Sequence, residues 1–140
     1  MVSLRRTAFR LFLITTTVLG SAAFTAGPAN AGGCYGSSCN GRNPQGLCSA
    51  DARTAKSVTT PYGVLVELRY SPSCRAAWGR ILNAYTNDVV VVDSTDGRSY
   101  TATVRFGKDA FTLMVNDIDP LQAHACGGAT SPDFRCTDWY

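Results

Sequence analysis

Six cysteines, Cys34, Cys39, Cys48, Cys74, Cys126 and Cys136, limit what this 140-residue chain can fold into. An even set closes into disulfides in an oxidising compartment and more often binds metal in a reducing one. The opening segment points to the first. Met1 to Arg10 carries Arg5, Arg6 and Arg10 and no acid; Leu11 to Leu19 is a short apolar stretch; Ala29-Asn30-Ala31 precedes Gly32. A basic start, a greasy middle and a small-residue exit make a secretory signal. A membrane anchor fits less well, because the apolar stretch is short and broken by Thr15 to Thr17. Arg5-Arg6 raises twin-arginine export, but no Phe stands two residues after the pair, so ordinary unfolded export is preferred. The expected organisation is a signal peptide over residues 1–31 and one secreted domain over 32–140.

Outside the cell, six cysteines read as three disulfides. A zinc site is the competitor, yet no C-x2-C pair is present and the single histidine, His124, is distant in sequence. Fifteen pairings are formally open. Cys126 and Cys136 flank Gly127-Gly128 and Ser131-Pro132, a stretch that can fold back on itself, which favours bridging these two. The other four would then tie the Gly-rich N-terminal segment to the element around Cys74.

Removing the signal changes the electrostatics. The whole chain has 13 basic and 10 acidic residues, but three of the basic ones lie in the signal, leaving ten of each and no net charge. Nucleic-acid binders and anionic-membrane binders need a cationic excess to displace counterions. None is present, so neither nucleic acid nor membrane is expected as a partner.

Gly32 to Leu47 is nearly devoid of apolar side chains and reads as a loop held by sulfur. Arg53 to Thr60 and Val64 to Tyr70 flank Thr60-Pro61-Tyr62-Gly63, a turn with Pro second and Gly fourth, so they form a hairpin. In the second arm Val64, Val66, Leu68 and Tyr70 share one face, opposite Glu67 and Arg69. Ser71 to Gly79 reads as a short helix, with Ser71 as cap and Pro72 in the first turn. Further strands follow: Trp78 to Tyr85, Val89 to Val92, the alternation of Ala102, Val104 and Phe106, and Phe111 to Val115. Asp119-Pro120 opens a second expected helix, ended by Gly127. About six short strands with frequent turns make a mainly β fold: a small disulfide-stapled antiparallel barrel or sandwich with two short helices.

Acid–base chemistry is scarce. The expected secreted domain has one histidine, His124, and one glutamate, Glu67. A Ser-His-Asp hydrolase would have to use His124, which falls in the last turn of the second expected helix, where a cation suits the helix dipole without any catalytic role. No G-x-S-x-G accompanies it. Glu67, His124 and an arginine could equip a small nuclease, but the alternation favours reading Glu67 and Arg69 as the solvated face of a half-buried strand. Asn116-Asp117-Ile118-Asp119 and the Asp93–Asp96 turn each offer two acids, short of the six to eight oxygens calcium takes. No catalytic residue, cofactor or metal ligand is therefore assigned. Trp139-Tyr140, with Phe134 nearby, could stack on a sugar or peptide or pack against the disulfide-rich end.

Three strings occur together: Cys34-Tyr35-Gly36-x-x-Cys39-Asn40-Gly41-Arg42-Asn43-Pro44-Gln45 with Cys48-x-x-Asp51; Glu67-Leu68-Arg69-Tyr70-Ser71-Pro72-Ser73-Cys74-Arg75-Ala76-Ala77-Trp78; and Ala125-Cys126 with Cys136-Thr137-x-Trp139-Tyr140. The set resembles the YjfA-like domain of unknown function, an uncharacterised extracytoplasmic family of actinomycetes and bacilli. The resemblance implies a secreted stand-alone domain. The family also places such domains outside the membrane on chains with an intracellular helix-turn-helix, and no helix-turn-helix occurs here. It lends no catalytic residues. The expected function is a non-catalytic extracellular module that binds a cell-wall polysaccharide or protein. A small Glu67/His124 hydrolase and a protease inhibitor presenting the braced Gly36–Leu47 loop are the alternatives.

Overall fold

The computed structural model describes residues 33–129 and 132–140; the expected signal segment over 1–31 lies outside them. Among the described residues nine strands form two antiparallel sheets. β1 (Arg53–Thr59), β2 (Leu65–Ser71) and β3 (Ala76–Leu82) make a meander, and β3 carries two short partners on its far edge, β6 (Ala110–Phe111) and β7 (Val115–Asn116). The second sheet runs β5 (Ser99–Thr103), β4 (Val89–Ser94), β8 (Ala123–Gly128), β9 (Arg135–Cys136). The sheets face each other as a sandwich and do not close into a barrel.

The expected first hairpin is present: Gly63 closes the turn by donating its N–H to the Thr60 carbonyl at 3.0 Å, with φ +83°. Period-two alternation then fixes the faces. Val64, Val66, Leu68 and Tyr70 point between the sheets with Ala77, Ile81, Val90, Val92, Ala123 and Ala125, forming the main core. The two sheets leave no room for a side chain at two glycines. A Cβ on Gly127 would lie 3.1 Å from Val66 Cγ2 and 3.3 Å from Ile81 Cδ1 of the facing sheet; one on Gly79 would lie 2.9 Å from Val90 Cγ2. A second buried cluster lies on the outer face of the first sheet, where Cys34, Cys39, Cys48 and Cys74 pack with Ala76, Trp78 and Met114.

Neither expected helix forms; among the described residues the only helical element is a 3-10 turn at Gly36–Cys39. Ser71 does act as a cap, its Oγ accepting the Cys74 N–H at 3.2 Å, but the structure capped is the β2–β3 turn. Asp51 holds the same turn, through Ser71 Oγ at 2.6 Å and the Ser73 N–H at 2.8 Å. Local side-chain-to-backbone bonds serve turns as readily as helix starts. From Ala76 onward Trp78, Arg80 and Leu82 alternate with Ala77, Gly79 and Ile81, as a strand requires. The second expected helix is β8, whose Ala123, Ala125 and Gly127 are the small residues that let the two sheets approach. The expected strand over Phe111 to Val115 is split, because Thr112 Oγ1 accepts the Gly79 N–H at 3.0 Å and Met114 turns to pair with the N-terminal loop through Gly41 and Arg42.

Three disulfides join Cys34 to Cys39, Cys48 to Cys74 and Cys126 to Cys136. The favoured Cys126–Cys136 pairing is the one formed, directly across β8 and β9. Cys48–Cys74 ties the N-terminal loop to the β2–β3 turn, as expected; Cys34–Cys39 closes a local loop.

Candidate functional site

The residues singled out for chemistry do not converge. Glu67 sits on the outer face of the first sheet and is only 8% exposed, so it is not part of a solvated face. Arg80 Nε donates to its Oε2 at 2.6 Å and Thr54 Oγ1 to its Oε1 at 3.0 Å. His124 lies in the second sheet, on a strand and not at a helix end. Its Nε2 is 3.3 Å from Asp93 Oδ2, and its ring stacks on Trp139 with centroids 3.8 Å apart. The two share no hydrogen-bond or ion-pair partner among the described residues, so the nuclease pairing is not assembled. Asp96 is engaged within its own turn by Arg98. The sulfur clusters that could otherwise collect a metal are consumed in disulfides, and a disulfide offers no thiolate to ligate one.

A different set of side chains does converge. At the end of the sandwich beside the β2–β3 turn, Tyr70, Arg75, Asp117, Asp119, Leu121 and Tyr140 line a cleft of about 240 Å³. Tyr70 is the last inward-facing residue of β2. The final backbone stretch lies along β8, with Tyr140 and Ala123 exchanging N–H···O bonds of 2.9 and 3.1 Å, and this sets the Tyr140 ring edge-on to Tyr70 at 5.3 Å. Arg53 fixes the wall from behind, donating to the Tyr140 hydroxyl at 2.7 Å with its guanidinium 5.4 Å from the Tyr70 ring centre.

The floor holds an unmatched pair. Asp117 continues the alternation of β7 beyond Val115, so its carboxyl points inward and is 5% exposed. Its Oδ1 has no hydrogen-bond partner, and neither has the buried Nε of Arg75; these are the two such side-chain atoms among the described residues. A buried polar atom left unpaired costs about 1–3 kcal/mol. One is an acceptor and the other a donor, and both belong to one cleft. Burial raises the Asp117 pKa to about 6; the nearby Arg75 cation pulls it down, and Asp119 pushes it up. Arg75 also occupies a left-handed backbone conformation, φ +49°, where glycine would sit without strain. It reaches across the rim to Asp119 Oδ2 at 3.0 Å, where the carboxylate is almost wholly exposed and such pairs contribute little.

Chemically this is a pocket with aromatic walls and a donor–acceptor floor. Its lining offers no serine, cysteine or histidine beside Asp117, and its arginine disfavours a cation at the carboxylates. The sequence presents Asp117 only as half of an acidic turn, although the alternation running from Val115 marks it as inward-facing. Nothing local flags Arg75.

No solved structure matches the chain. Among curated proteins it is 28% identical to the uncharacterised protein YjfA of Bacillus subtilis (strain 168), over 51% of this chain and 54% of that one, so it spans about half the relative's length. Residues 37–126 match the family described as a protein of unknown function (DUF2690), a region that includes the β2–β3 hairpin and Asp117 but ends before Tyr140. The chain belongs to this uncharacterised, YjfA-like DUF2690 family.

Proposed function

We propose that the protein is a secreted, non-catalytic binding module whose Tyr70–Tyr140 cleft takes a neutral, hydroxyl-bearing ligand such as a cell-wall sugar. The observation that carries this reading is the pair of buried, unpartnered atoms, Arg75 Nε and Asp117 Oδ1, in one aromatic-walled cleft. A hydroxyl group both accepts and donates, so one sugar hydroxyl can satisfy both atoms while the apolar face of the ring lies against tyrosine. A lone carboxyl without a partnered base or nucleophile favours holding a ligand over turning it over. The disulfides accord with an oxidising destination, and rigid walls reduce the ordering cost of binding.

Purified wild-type domain is expected to be retained on bacterial cell wall or on one of chitin and cellulose. Arg75→Gly relieves the left-handed backbone, so it should keep or raise the melting temperature while abolishing retention; Tyr140→Ala should weaken it about tenfold, the loss of one stacked ring contact. Failure of the wild type to bind any of the three, or undiminished retention of Arg75→Gly, would overturn the reading.

A further inference from the structure

A second cleft, of about 230 Å³, lies on the other side of the same hairpin, because Arg69 and Tyr70 are consecutive in β2 and point to opposite faces. Trp78, Phe111 and Pro44 form apolar walls, while Arg69 and Arg80 supply two guanidinium groups. The bonding around these cations is uneven. Arg80 directs both Nε and Nη2 at Glu67 Oε2, each at 2.6 Å, and Thr54 Oγ1 takes Oε1 at 3.0 Å, so both oxygens of the one glutamate are engaged. Arg69 is left with a hydroxyl and a carbonyl: its Nη1 donates to Thr54 Oγ1 at 2.6 Å and its Nη2 to the Ala52 carbonyl at 3.0 Å. Among the described residues no carboxylate comes within ion-pair distance of it. Burial and the neighbouring Arg80 charge both depress its pKa, against the pull of Glu67. The network is thus one anion short of neutral, with guanidinium N–H groups still to place.

We infer that this cleft is a binding site for an organic carboxylate, the carboxylate pairing with Arg69 and an apolar or aromatic body lying between Trp78 and Phe111. Guanidinium and carboxylate match as planar, bidentate partners, and partial desolvation strengthens the pair. Asp109 lines the same cleft without reaching either arginine, so it opposes the ligand and limits its affinity. The site is independent of the tyrosine cleft and of the reading given to that cleft.

Benzoate is the probe, with benzyl alcohol as its neutral counterpart and inorganic phosphate as the anion without an apolar body. Titration followed by the indole N–H resonance of Trp78, distinguished from Trp139 by Trp139→Phe, should show saturable shifts with benzoate that weaken as salt rises. Benzyl alcohol and phosphate should each bind at least tenfold more weakly. Arg69→Gln should weaken benzoate about tenfold, and Asp109→Asn should tighten it several-fold, a gain that damaged folding does not produce. Equal binding of benzoate and benzyl alcohol, tighter binding of phosphate, no response of Trp78, or no gain in Asp109→Asn would overturn the assignment.

Discussion

The two faces of the first sheet are covered by different means. Between the sheets, Val66, Leu68, Ile81, Val90 and Val92 interlock without sulfur. On the outer face Glu67, Arg69 and Arg80 interrupt the apolar pattern, leaving Trp78 with Ala76 and Met114 as the material for a core. There four cysteines supply the remaining packing surface, and one of their two bridges, Cys48–Cys74, is the covalent link to the loop that covers it. Where alternation provides apolar area, packing suffices; where charged residues are placed on the strand, crosslinks do the covering.

Perturbing each side in turn tests that contrast. The largest effect is expected from Leu68→Ala, which opens a cavity in the fully buried inter-sheet core and should lower stability by about 2–5 kcal/mol in urea unfolding. Replacing Cys48 and Cys74 together by alanine removes a bridge spanning 26 residues and should cost about 3 kcal/mol by freeing the unfolded chain. Amide exchange should then quicken around Trp78 and Met114 and stay unchanged in β4 and β8; uniform loss of protection would erase the distinction between the two sides.

Asp117 gives a smaller, pH-dependent effect. Its folded-state pKa, about 6, lies above the ordinary 3.8, so it favours the folded state below pH 4, and that contribution is lost as pH rises through 6. Asp117→Asn should therefore stabilise the domain by about 1–2 kcal/mol at pH 7 and by almost nothing at pH 4, read as the difference in melting temperature. A constant difference would show that burial of the charge is not the cause. The smallest change is expected for His124→Ala, which loses a partly buried contact with Asp93 and a ring stack on Trp139 and should cost no more than about 1 kcal/mol.

Much of this contrast was legible in the residues. Val64 to Tyr70 declares its faces by alternation, and Cys126 and Cys136 flank a stretch short enough to fold back. The failures share one origin. Ser71-Pro72 and Asp119-Pro120 carry signals for a chain reversal, and those signals do not say whether a helix or a strand follows. The glycine expected to end the second helix, Gly127, is instead a strand residue, and with Ala77, Gly79, Ala123 and Ala125 it is small because the other sheet lies against it. The tyrosine cleft was hidden for a topological reason: Tyr70, Arg75, Asp117 and Tyr140 come from three separate segments, and only the pairing of β7 with β3 and of the chain end with β8 unites them.

Gly79 and Gly127 have a consequence for how this scaffold tolerates change. They act as missing spacers: lengthening either by one methyl would press on the facing sheet, at Val90 and Ala125 for Gly79 and at Val66 and Ile81 for Gly127. A variant library built on this domain should therefore leave those two positions untouched and diversify the rims, where the separation of the layers does not depend on the side chain chosen.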